Sequence, residues 1–152
     1  MRRVYRYPLQ SLQNLRSTDV DAARAALHMV EQEILANQGD ILACSASMQK
    51  LEQEVRDARS GGQFDLDQQR ASHSYLSHLR LRLATLQQSR AELLQREQAG
   101  LQQLNAARSS LRTMEKHHAR LGDAFFLETA RAGQREADDS WLTRAGAREV
   151  TP

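Results

Sequence analysis

Between Leu76 and Glu128 the sequence keeps one alternation, a step of three residues and then a step of four, for more than seven heptads. The positions are Leu76, Leu79, Leu83, Leu86, Arg90, Leu93, Glu97, Gly100, Leu104, Ala107, Leu111, Met114, His118, Leu121, Phe125 and Glu128, and eleven of the sixteen are apolar. An α-helix turns once in about 3.6 residues, so an apolar row repeating every 3.5 drifts around a straight helix. The row stays in line only when two helices wind about each other. The repeat therefore demands a partner helix, and it points to a connective or mechanical role with no enclosed pocket.

The composition agrees. Aromatics make up 5% of 152 residues, mean hydropathy is −0.66, and the prolines are Pro8 and Pro152. Such a chain forms long helices with a thin core. A weaker apolar row precedes the first: Ala23, Ala26, Val30, Ile34, Asn37, Ile41, Cys44, Met48, Leu51, Val55 and Ala58. In this reading the step from Val30 to Ile34 breaks the alternation as a stutter, and Gly39 interrupts the helix. Leu9, Leu12 and Leu15 add an apolar patch near the start.

Ser60-Gly61-Gly62 is the strong break between the two rows. Asp65, with Gln68 three residues on, reads as a helix cap. The expected fold is all-α: a long two-helix antiparallel coiled-coil hairpin whose second helix is the longer. The expected boundaries are helix 1 over about 8–59, turn 60–64, helix 2 over about 65–138 and a flexible tail 139–152, in one elongated domain.

Charge supports folding back. Residues 21–69 carry four basic and nine acidic groups, and residues 70–120 carry nine basic and three acidic. An antiparallel hairpin brings these opposite charges together. Pairing outward from the turn sets residues whose numbers add to about 122 opposite each other. In that register Arg90 faces Glu31 and Glu33, and Glu97 faces Arg24, so these are the expected register-setting pairs. From Met114 onward helix 2 has no counterpart on helix 1. Leu121, Phe125 and Phe126 there read as a docking end for another protein, with Arg2, Arg3 and Arg6 beside it.

The sequence carries no catalytic, cofactor or metal signature. His28, His73, His78, His117 and His118 include no pair four residues apart, and there is no phosphate-binding or nucleophile-elbow motif. Cys44 lies on the apolar row as a packing residue. No stretch is long and apolar enough to span a membrane, and the N-terminus lacks the apolar core of a secretory signal. A nucleic-acid role would rest on Arg80, Arg82, Arg96, Arg108, Arg112, Lys116 and Arg120. No stacking aromatics accompany them, so pairing with the acidic helix is preferred.

Three stretches resemble the FliJ/YscO family of coiled-coil stalk proteins of flagellar and injectisome type III secretion. The opening Tyr7-Pro8-Leu9-Gln10-Ser11-Leu12-Gln13-Asn14-Leu15-Arg16 is similar to the family's basic, leucine-spaced start. Ser74-Tyr75-Leu76-Ser77-His78-Leu79 resembles its aromatic-x-x-x-Leu element. Met114-Glu115-Lys116 through Asp138-Asp139 resembles its charged ending, although Phe125-Phe126-Leu127 departs from it. The resemblance implies a cytoplasmic stalk, peripheral to the inner-membrane export apparatus. The end bearing both termini would enter the pore of a hexameric export ATPase, and the turn side would reach the export-gate membrane protein through Tyr75 and Leu79. It also implies export chaperones as further candidate partners, with no nucleic acid and no membrane insertion. The rival readings are a generic coiled-coil scaffold or export-chaperone escort, and a nucleic-acid-associated coiled coil.

Overall fold

A computed structural model describes residues 4–62 and 65–148, excepting the side chains of 145–148. Its elements are α1 (Gln10–Ser60) and α2 (Leu66–Arg148), of 51 and 83 residues, paired as an antiparallel hairpin. Pro8 stands before α1 rather than in its first turn, and the Gln10 amide donates to the Tyr7 carbonyl (3.3 Å). At the far end of α1 the Gly61 amide closes the last turn on Asp57 O (2.9 Å). Gly62 then takes φ +71°, a left-handed conformation that a residue with a Cβ resists. Asp65 caps α2, its Oδ1 accepting the Asp67 amide at 3.0 Å. α2 continues to Arg148, past the end expected near Asp138.

The chain divides into two compact units: residues 21–105, containing the turn, and residues 1–20 with 106–152, containing the termini. In the turn unit the less exposed residues of α2 are Gln69, Ser72, Leu76, Leu79, Leu83, Leu86, Arg90, Leu93, Glu97, Gly100 and Leu104, with Ser89 beside Arg90. They are the expected row with two further positions toward the turn. On α1 the row is Ala23, Leu27, Val30, Ile34, Asn37, Ile41, Cys44, Met48, Leu51 and Val55. Leu27 is buried and Ala26 is exposed, so the alternation runs unbroken and the expected stutter is absent. Gly100 explains the choice. A Cβ on Gly100 would lie 3.2 Å from Leu27 Cδ1, so the missing side chain leaves the space that Leu27 fills. Gly39 is exposed within continuous helix and interrupts nothing.

Two hydrogen bonds across the seam fix its register. Cys44 Sγ donates to Leu79 O (3.4 Å), and Asn37 Nδ2 donates to Leu86 O (3.1 Å). Both pairs of residue numbers add to 123, one more than expected. The flanking pairs follow another rule. Arg96 holds Glu33 with both terminal nitrogens (2.6 and 3.4 Å), Arg80 lies 3.8 Å from Glu52, and Arg90 Nη1 donates to Gln38 Oε1 (3.5 Å). Their numbers add to 129, 132 and 128. Side chains on a helix lean toward its N-terminus, and in an antiparallel pair the two leans are opposed. Long side chains therefore meet when their Cα atoms are out of level, here by a lean of ~4–7 Å each.

That lean corrects the expected pairs. Glu33 pairs with Arg96 rather than Arg90, and Arg90 reaches Gln38. Arg24 lies 3.8 Å from Asp21 of its own helix, and no ion pair joins it to Glu97 among the described residues. The Arg96 and Glu33 side chains are 56% and 45% exposed, so water and salt screen the pair. A double-mutant cycle on Arg96→Ala and Glu33→Ala is expected to give a coupling below ~1 kcal/mol that shrinks in high salt.

Asn37 is the one buried polar side chain of the described seam, 8% exposed, and its Oδ1 has no hydrogen-bond partner. An orphaned buried acceptor costs about 1–3 kcal/mol, while a polar seam residue disfavours competing registers. Asn37→Leu is therefore expected to raise the Tm in thermal denaturation while loosening the choice of pairing. A lowered Tm would mean that the amide contributes net stability.

Candidate interaction surfaces

The terminal unit closes differently from the turn unit. Tracing the α1 row back from buried Val20 leads to Arg16 and Gln13, which are half-buried. Leu9 falls on the next step of that row, whereas Leu12 and Leu15 fall off it, and the three are 39%, 37% and 53% exposed. They form no part of the buried core, and two of them sit one position away from seam residues.

The α2 row here runs Ala107, Leu111, Met114, His118, Leu121 and Phe125, all half-buried. The expectation that this row lacks a partner from Met114 onward is corrected by residues 4–7. Tyr7 is buried, stacked on the His118 ring at 4.2 Å between centroids and 9° between planes. Its hydroxyl is hydrogen-bonded to His117 Nδ1 at 2.9 Å. Tyr5 lies against Phe125 (5.3 Å), His118 (5.8 Å) and Phe126 (6.4 Å), and its hydroxyl donates to His118 O at 3.5 Å. Partial desolvation first, and the neighbouring Tyr7 second, raise the Tyr5 phenol above its ordinary pKa of 10.0. On α1, Gln13 Oε1 lies 3.0 Å from His118 Nδ1.

The reach of this segment follows from its backbone. A helix advances about 1.5 Å per residue and an extended chain about 3.3 Å, so four extended residues cover roughly the length of nine helical ones. Residues two apart in an extended chain also share a face, which puts Tyr5 and Tyr7 together on α2 and leaves Arg6 exposed. Buried Gly122 seats Tyr5; a Cβ there would stand 3.7 Å from the Tyr5 ring. The i, i+2 tyrosines ahead of Pro8 are the sequence signal for this closure, and a search confined to helical spacing passes over it.

The expected docking residues therefore separate. Leu121 and Phe125 are half-buried, and Phe125 is covered by Tyr5. Phe126 stays 64% exposed and is followed by Leu127 (53%), Trp141 (70%) and Leu142 (61%) on the remainder of α2. Arg6 is exposed, and Arg2 and Arg3 lie outside the described residues.

In the turn unit Tyr75 and Leu79 also separate. Leu79 is 4% exposed, holding the seam beside Cys44, so its side chain is spent on α1. Tyr75 is 52% exposed and stacks beside His78, with centroids 6.5 Å apart. Leu35 and Leu42, one heptad apart on α1, are 61% and 63% exposed. Two of the basic residues that could meet phosphates, Arg80 and Arg96, are paired with α1 carboxylates. Among the described residues no helix is long and apolar enough to cross a membrane, and no group of three or more His, Cys, Asp or Glu could hold a metal ion.

Tyr7→Phe is expected to cost this unit about 1 kcal/mol, the net value of one hydrogen bond. Tyr7→Ala should cost more than that, because the ring packing is lost as well. Amide hydrogen exchange along residues 114–126 reads both, and equal effects would mean that the ring stack contributes nothing.

Residues 5–149 match the family described as flagellar FliJ protein. No curated protein and no solved structure gives a significant match. The family match covers nearly the whole chain, so the chain belongs to the flagellar FliJ family, the stalk proteins of flagellar and type III export.

Proposed function

We propose that this FliJ-family chain is the central stalk of a type III protein export apparatus. It inserts its terminal end into a hexameric export ATPase and links that ATPase to the export-gate membrane protein. The observation that carries this reading is the family match over residues 5–149, joined to a hairpin whose α2 runs on past the last residue that α1 or its leading segment covers. The stalk acts in the cytoplasm, peripheral to the inner membrane, and performs no chemistry. Its effect on the ATPase is differential binding: it favours the assembled hexamer over free subunits.

Phe126 and Leu127 are the preferred ATPase contacts, because both are large, apolar and exposed just beyond the part of α2 that Tyr5 covers. Arg6 adds positive charge on the same unit, and Arg2 and Arg3 remain candidates by sequence. Leu121 and Phe125 support this face from beneath. Tyr75 is the preferred gate contact on the turn unit, with Leu79 positioning it from the seam. Export chaperones are further candidate partners for the exposed α1 leucines.

The test adds purified chain to a hexameric export ATPase and follows ATP turnover. Wild-type chain is expected to stimulate it. Phe126→Ala with Leu127→Ala should raise the concentration giving half-maximal stimulation about tenfold, the ~1.4 kcal/mol of a lost interface anchor. Tyr75→Ala should leave stimulation intact while reducing retention on the gate protein's cytoplasmic domain. Stimulation unaffected by the Phe126 and Leu127 changes would remove this face from the ATPase contact.

A further inference from the structure

We infer that residues 4–7 are a releasable strap over the docking face of α2, so that partner binding competes with the chain's own N-terminal segment. The inference rests on the reading of the terminal unit as an ATPase-docking end and adds a regulatory step to it. Three observations carry it.

The first is the nature of what the strap covers. Beneath Tyr5 and Tyr7 lie His118, which Gln13 of α1 also reaches, and then Gly122 and Phe125, where the α2 row continues beyond the helical part of α1. A heptad row left without a helix is the surface that a partner's helix or apolar loop would fill.

The second is the way the strap is held. Among the described residues it is held to α2 by ring stacking and by two hydrogen bonds at the Tyr7 and Tyr5 hydroxyls, of 2.9 and 3.5 Å. Among the described residues no backbone hydrogen bond joins it to α2, and the one that its backbone makes, from the Gln10 amide to Tyr7 O, turns it into α1. A segment fixed by two rings can lift without breaking a backbone ladder, and such weakly protected segments open well below the cost of global unfolding.

The third is the continuity of the face. The Phe126 and Tyr5 ring centroids are 6.4 Å apart and Phe126 is 64% exposed, so covered and uncovered apolar surface adjoin at this pair. A partner that engages Phe126 first is placed to displace Tyr5 and extend onto Phe125 and His118. Lifting the strap would then add Phe125 and His118 to the face that Phe126 presents, and closing it would hide them in the free protein.

A strap closed nine-tenths of the time lowers apparent affinity about tenfold. Tyr5→Ala with Tyr7→Ala is the informative variant, and Tyr7→Phe is its conservative companion. Hydrogen exchange over residues 114–126 should accelerate about tenfold in the double variant and less in Tyr7→Phe, with residues 27–104 unchanged as the check on folding. Affinity for a hexameric export ATPase should tighten by about the same factor. Faster exchange with unchanged or weakened affinity would overturn the inference, since the tyrosines would then be contacts rather than a cover. Unchanged exchange would overturn it as well. If exchange accelerates while neither wild type nor variant binds the ATPase, the ATPase reading fails and the strap remains as a cover for that face.

Discussion

Every part of this structure depends on a row of side chains every 3.5 residues that must be buried against a second helix. The row is thin. Val20, Leu27, Val30, Cys44, Leu76, Leu79 and Leu104 are its buried apolar members, Tyr7 joins them from the leading segment, and no side chain among the described residues is fully enclosed. A core this narrow leaves little room for a catalytic cleft, so specificity resides in what interrupts the row and in what lies beside it. Asn37 interrupts it with a half-satisfied amide, Gly100 with a space for Leu27, and His118 with a ring that only another ring covers well. Gly100 and His118 are answered on the facing segment by Leu27 and Tyr7, and the Asn37 amide donates to Leu86 O, which ties the pairing to one register.

Opposed side-chain lean is the second constraint. It separates the level at which short seam residues meet from the level at which long charged residues meet. Cys44 with Leu79 and Arg96 with Glu33 belong to one register even though their numbers add to 123 and 129. Treating both kinds of contact as level is what assigned Arg90 to Glu33. The same geometry brings the acidic first arm to the basic second arm, where Glu52 and Glu33 answer Arg80 and Arg96.

The fold was largely legible because heptad spacing survives in sequence without any knowledge of tertiary structure. The α2 row from Leu76 to Phe125 is the observed seam residue by residue. Errors arose where spacing gave two options and the opposite helix decided, as at Ala26 and Leu27. They arose again where the backbone left the helical period. Tyr5 and Tyr7 pack with the period of an extended chain, so a helical template cannot place them. The candidate surfaces were legible only in part for a related reason. Resemblance selects residues by type, but Leu79 and Tyr75 differ in which face they occupy, and Phe125 and Phe126 differ by one step around the helix. Exposure separates each pair, and exposure is a property of the fold.

The terminal unit is where these constraints meet the proposed role. A stalk must present a face to the ATPase without presenting it to every other apolar surface. An N-terminal segment that covers part of that face by stacking serves both needs. The most direct measurement is a reconstruction, by electron cryomicroscopy, of the hexameric export ATPase bound to this chain. The expected result is a two-helix density with the α2 stretch beyond Phe126 inside the central pore and the Ser60-Gly61-Gly62 turn outside it. A turn-first insertion, or a hexamer with an empty pore at saturating chain, would contradict the proposed stalk.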